Sequence, residues 1–127
     1  MVTIRDNLTI LAVEDLGISR RFYMDQMGFE EYLRTGGWSF LKRGSLRLRI
    51  GHCPGIVPIS KCKDHSLIVQ AVVDDVDAVH AELKAKGVDV SAPENKPWGQ
   101  REFGVLTLDG HRFMFSQSLD ARVEDVE

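Results

Sequence analysis

The same local signal occurs twice, 60 residues apart: Val13-Glu14-Asp15-Leu16 and Val73-Asp74-Asp75-Val76. Each copy follows an apolar run, Leu8 to Val13 and Leu67 to Val73, and each precedes apolar residues at helical spacing. In the first half Ile18, Phe22 and Met27 mark a helix from near Ser19 to Gly28. In the second, Val76, Val79 and Leu83 mark one that stops at Gly87. A glycine just past the last periodic residue is a common left-handed helix terminator. Strand-like runs follow each helix: Glu31 to Thr35, Trp38 to Lys42 and Leu46 to Ile50, then Asp89 to Ser91, Glu102 to Leu108 and Arg112 to Ser116. The chain therefore reads as βαβββ written twice, an α+β fold. One such unit cannot cover both faces of its sheet, so the expectation is two curved sheets around a cleft with the helices outside.

A length of 127 residues suits one domain. The first module spans about 5–51 and the second about 65–117, joined by a connector over about 52–64 that holds Pro54, Gly55 and Pro58. A mostly polar, acidic tail covers 118–127. A net charge of -3 carries no electrostatic footprint for nucleic acid. No apolar run reaches membrane-spanning length and the first residues lack a signal-peptide pattern, so a cytoplasmic protein is expected, with no membrane or nucleic-acid partner. Cys53 and Cys62 are expected to be reduced thiols. No nucleophile elbow, P-loop or dinucleotide-binding glycine pattern is present. Asp74, Asp75 and Asp77 precede a helix, which favours N-capping over a carboxylate cluster.

The longest ordered motif is Pro97-Trp98-Gly99-Gln100-Arg101-Glu102-Phe103-Gly104, followed by Asp109-Gly110-His111-Arg112-Phe113-Met114-Phe115. Asp109-Gly110 between two apolar-alternating runs reads as a hairpin turn. With this motif the chain resembles the glyoxalase/bleomycin-resistance (vicinal oxygen chelate) superfamily, and within it the bleomycin-resistance branch. The resemblance covers roughly residues 5 to 117. It implies a homodimer and a small-molecule ligand held in clefts with aromatic walls, and Trp98 matches the tryptophan of the branch's Pro-Trp-Gly motif.

Metal-binding members of the superfamily place a histidine on the first strand of each half and a glutamate on the last strand. Counting from Asp15, Asp75 and Gly110, the matching positions are Leu8, Ile68 and Met114. None offers a hard donor, and a thioether suits the divalent ions of such sites poorly. No metal and no cofactor are therefore expected, with strand register as the point on which this turns. His65, three positions before Ile68, is either a polar residue at a strand start or an inward ligand. His52, Cys53, Cys62 and His65 also gather donor types, but adjacent His52 and Cys53 chelate one ion poorly, leaving Cys62-x-x-His65 as half a site. His80 is expected to face solvent and His111 to sit on the hairpin turn.

The remaining chemistry is that of a binding pocket. Leu46, Leu48 and Ile50 suit the core, which sends Arg47 and Arg49 to the other face of their strand, toward the cleft or solvent. Arg112 shares a face with Met114, and Gln70 with Ile68. Guanidinium groups near an apolar floor are fitted to carboxylate or phosphate, or else they solvate an exposed face. Trp38 and Trp98 are 60 residues apart and are either paired walls of one cleft or ordinary packing, with Phe40 and Tyr32 as weaker candidates. The expected ligand-binding set is thus Trp98, Trp38, Arg47, Arg49, Gln70, Arg112, Met114, Leu8 and Ile68, with no catalytic residue. The function expected is metal-free, dimeric sequestration of a small molecule or antibiotic. The alternative is a metal-dependent enzyme of the same superfamily, glyoxalase-, dioxygenase- or thiol-transferase-like.

Overall fold

The computed structural model describes residues 2–62 and 66–119, so His65 and the tail beyond Leu119 lie outside the described residues. The chain divides into two compact units, Met1–Val57 and Pro58–Glu127, each with its own sheet and helix.

In the first unit, β1 (Thr9–Val13), α1 (Leu16–Arg21), β2 (Glu30–Thr35), β3 (Trp38–Arg43) and β4 (Leu46–His52) build a four-stranded sheet ordered β1-β4-β3-β2. β1 runs parallel to β4, and the other pairs are antiparallel. Alternation buries Leu11, Val13, Leu41, Leu48 and Ile50 on the face that meets α1. Asp15 caps α1 by accepting from Ile18 N at 3.0 Å. The helix therefore begins at Leu16, three residues before the expected start, because the aspartate of the repeated signal is itself the cap. Ile18 points outward, and the inner face comes from Leu16, Ser19, Phe22 and Tyr23. A π turn over Phe22–Gln26 follows α1, and both of its adjacent aromatics are buried. Tyr23 stands edge-on to Phe22 and Phe29. Gly28, with φ 76°, ends the segment.

A polar clamp ties this helix to the sheet. Arg20 donates from Nε and a terminal nitrogen to the two oxygens of Glu31, at 2.6 and 2.7 Å. Ser39 Oγ donates to the same carboxylate at 2.5 Å. The Arg20 hydrogen bond is the main reason the Glu31 carboxyl falls from 4.5 to about 2.

In the second unit, β5 (Ile68–Val72), α2 (Val76–Ala85), β6 (Asp89–Val90), β7 (Glu94–Asn95), β8 (Gln100–Leu106) and β9 (Arg112–Ser118) give the order β5-β9-β8-β6, with β7 also on β8. β5 is parallel to β9, so both sheets are mixed and the fold is α+β, as the repeat predicts. Asp75 caps α2 through Ala78 N at 3.0 Å, and Val76 N donates to Gln117 Oε1 on β9 at 2.8 Å. Val69, Phe103, Val105, Phe113 and Phe115 face Val76 and Leu83 of α2, with Phe103 and Phe115 stacked at 5.4 Å. His80 is half-buried and edge-on to Phe103 at 5.1 Å, so it is a packing residue rather than a solvated one.

The hairpin after β8 turns at Gly110, with φ 82°. His111 sits on this hairpin as expected, but it is buried there, and its Nδ1 has no hydrogen-bond partner among the described residues. Burial pushes this imidazole below its ordinary 6.5. Ser60 N donates to Gly110 O at 2.9 Å, and a Cβ at residue 110 would lie 2.6 Å from Pro58 Cβ.

Two outcomes are expected. Gly110→Ala should cost about 2 kcal/mol or more and lower Tm by roughly 5–10 °C, because left-handed backbone and steric overlap add. Glu31 titrates lower in the folded chain than in the unfolded one, so its contribution is complete above pH 4.5 and is lost as pH falls through about 2. Urea denaturation of Glu31→Gln should show reduced stability near neutrality and a flatter acid limb across that window. The buried His111 acts earlier, its penalty growing as pH drops below 6.5.

Candidate functional site

In the second unit, α2 seals one face of the sheet and alternation assigns the residues of the other. That face carries Ile68, Gln70 and Val72 from β5, Arg112, Met114 and Ser116 from β9, and Gln100, Glu102 and Gly104 from β8. Register places Gln70 beside Met114, Met114 beside Gly104, and Ser116 beside Glu102. A cavity of about 540 Å³ opens over this row, lined by Ile68, Gln70, Lys96, Trp98, Gln100, Glu102 and Met114. A second cavity of about 400 Å³ shares Ile68 and Met114 with it and continues past Gly104 to Arg112, Asp89 and Ser60.

The turn between β7 and β8 puts Trp98 at the edge of the larger cavity. Gly99, at φ 80°, lets the chain reverse there. Trp98 is 59% exposed, yet its indole Nε1 donates to Glu102 Oε2 at 3.1 Å, which fixes the ring over the cavity. Glu102 is only 6% exposed. Gln70 Nε2 donates to Ser116 Oγ at 3.0 Å across β5 and β9. Lys96 Nζ lies 3.2 Å from Glu94 Oε2. Arg101, one residue before Glu102, points to the opposite face and holds Asp77 of α2 at 2.9 Å.

Four of the nine residues singled out in the sequence, Trp98, Gln70, Met114 and Ile68, therefore line one cavity, and Arg112 lines its neighbour. Arg112 also donates to Cys62 O at 3.4 Å. Trp38, Arg47 and Arg49 lie on the first unit's sheet, on the face opposite Leu48 and Ile50. The Arg49 guanidinium stacks 3.7 Å above the Trp38 ring and also reaches the Phe40 ring. Its Nε is buried without a hydrogen-bond partner among the described residues. Arg47 pairs with Asp6 at 3.2 Å and lies over Tyr32. Trp38 is a strand residue packed on Gly51, where a Cβ would meet the ring at 2.5 Å, whereas Trp98 belongs to a turn. The 60-residue offset therefore does not make them structural equivalents. Leu8 is exposed and lies one residue before β1. Cys53 and Cys62 are both free and exposed.

Glu102 is absent from the expected set. Its parity was readable, because it alternates with Phe103 and Val105 on β8. Its burial was not, because that depends on Trp98 folding back across it.

A family model for the glyoxalase/bleomycin resistance protein/dioxygenase superfamily matches residues 6–115, and the chain belongs to that superfamily. Among solved structures, it is similar to a bleomycin resistance determinant encoded on the transposon Tn5, with 25% identity over 90% of this chain and 98% of that one and a TM-score of 0.77. A bleomycin-binding protein in complex with bleomycin shares 23% identity over 91% and 99% of the two chains, with a TM-score of 0.75. Lactoylglutathione lyase from Agrobacterium tumefaciens has the same fold at 20% identity over 87% and 92%, with a TM-score of 0.66. No curated protein matches the sequence. The fold is thus shared by binding proteins and enzymes, and the choice between them falls to the side chains.

The Trp98–Glu102 bond gives a direct check. Trp98→Phe keeps an aromatic ring but leaves a buried carboxylate without its donor, which costs about 1–3 kcal/mol. An exposed ring without that bond would cost under about 0.5 kcal/mol on replacement. Urea denaturation distinguishes the two.

Proposed function

We propose that this protein binds a small organic molecule and holds it without a metal and without chemical change. The observation that carries this reading is the cavity of about 540 Å³, which combines an exposed indole, apolar side chains and a few convergent polar groups. Sites of that composition are typical of small-molecule recognition. Trp98, Gln70, Met114 and Ile68 contact the ligand in this reading, and Arg112 contacts whatever part of it extends past Gly104. Trp38, Arg47, Arg49 and Leu8 form a second candidate surface on the first unit. Membership of a superfamily with a bleomycin resistance determinant among its similar structures supports a holding role of that kind.

The residues at the positions the resemblance assigns to a metal do not fit one. Leu8 offers no donor atom, and neither does Ile68. Met114 offers only a thioether, a soft ligand mismatched to hard divalent ions. Among the described residues, no three His, Cys, Asp or Glu side chains stand close enough together to hold an ion. A homodimer, which the resemblance implies, and a cytoplasmic setting, which two free thiols favour, complete the proposal. No helix among the described residues is long and apolar enough to cross a membrane.

Elemental analysis of protein purified without chelator should find no stoichiometric divalent metal, and sedimentation should give twice the 14.3 kDa chain mass. A tightly held equivalent of metal would instead favour the enzyme reading. A fragment screen read by tryptophan fluorescence should yield ligands whose quenching disappears in Trp98→Ala. If no screened ligand depends on Trp98, the cavity is not the binding site.

A further inference from the structure

We propose that Glu102 sets the ligand class of the Trp98 cavity, selecting a planar organic cation such as an arylamine or amidine. Its N–H groups meet the carboxylate while its ring lies against the indole. This rests on the binding role proposed above. The carboxylate is 6% exposed, yet its one hydrogen bond among the described residues is the 3.1 Å contact from Trp98 Nε1 to Oε2. That bond uses Oε2 and leaves Oε1 without a donor among the described residues, in a side chain that lines the cavity. A buried carboxylate ordinarily has a cation or several donors around it.

The basic side chains nearest in sequence do not supply them. Lys96 shares the cavity but lies against Glu94 at 3.2 Å, and Arg101 is turned to the other face by Asp77. Gln70 adds a second acceptor, since its amide nitrogen is used by Ser116 and its oxygen is left unbonded among the described residues. Two acceptors, one of them a carboxylate, thus share the cavity with apolar Ile68 and Met114 and with the Trp98 indole. Aromatic faces attract cations, so the ring and the carboxylate favour the same ligand. No arginine is among the described residues that line this cavity, so an anion there would meet Glu102 without a guanidinium from its lining.

Benzamidine, benzamide and benzoate share a shape and differ in charge, which makes them suitable probes. The full chain, labelled with ¹⁵N, is titrated with each while the Trp98 indole N–H resonance is followed, assigned by its loss in Trp98→Phe. Benzamidine should shift it saturably, benzamide more weakly, and benzoate not at all. Glu102→Gln should weaken benzamidine by about tenfold or more and bring benzamide level with it. Should that variant fail to fold, Glu102→Asp, which keeps the charge and shortens the reach, should retain the preference for benzamidine over benzoate. Benzoate binding as tightly as benzamidine, or benzamidine binding unchanged in Glu102→Gln, overturns the assignment of ligand class and leaves the binding role standing. Silence from all three probes overturns both.

Discussion

Alternation on β5, β8 and β9 is the constraint on which the second unit is built. Phe103, Val105, Phe113, Phe115 and Val69 alternate with a mixed set of polar, small and apolar residues, and α2 packs on their side. Once five large side chains are committed to that helix, register sends Gln70, Glu102, Met114 and Ser116 to the opposite face. A slip of one residue would exchange the two sets and place a carboxylate under α2. The cavity is thus the complement of the core, and the same hydrophobic force produces both.

Charge is handled differently on the two sheets. In the first unit the cationic side chains are stacked or paired: Arg49 on Trp38, Arg47 on Tyr32 and Asp6, Arg20 on Glu31. The Arg20–Glu31–Ser39 clamp is less than a fifth exposed, so it joins helix and sheet where solvent screening is weak. In the second unit Arg101 answers Asp77 on the helix side, while Glu102 on the cavity side has an indole as its donor. A structural ion pair and an incompletely satisfied carboxylate therefore sit on adjacent residues of one strand. Their separation by the thickness of the sheet is what lets Glu102 keep its unmet acceptor beside an arginine.

The superfamily's fold supports both holding and catalysis, so the fold alone does not select a function. Here the deciding residues are few. Apolar Ile68 and Met114 line the cavity together with Trp98, Gln70 and Glu102. The aromatic wall comes from a turn rather than a strand. Its orientation therefore depends on one hydrogen bond, and loss of that bond affects the cavity as well as the indole.

Much of this organisation is legible in the chain itself. The duplicated Val-x-Asp signal, the glycines after each helix and the period-two runs determine two βαβββ modules, because they depend on local backbone geometry and on which side of a strand is apolar. The same alternation points Arg47 and Arg49 away from the core and puts Gln70 with Ile68. Other features depend on neighbours distant in sequence. That His111 is buried follows from its place in a hairpin onto which the Pro58–Ser60 segment docks, and that His80 packs on Phe103 follows from α2 crossing β8. The burial of Glu102 comes from Trp98 bending back across it, and the capture of Arg49 by Trp38 from the pairing of β3 with β4. Periodicity assigns a side chain to a face, but only the folded arrangement of strands and turns decides what covers it there.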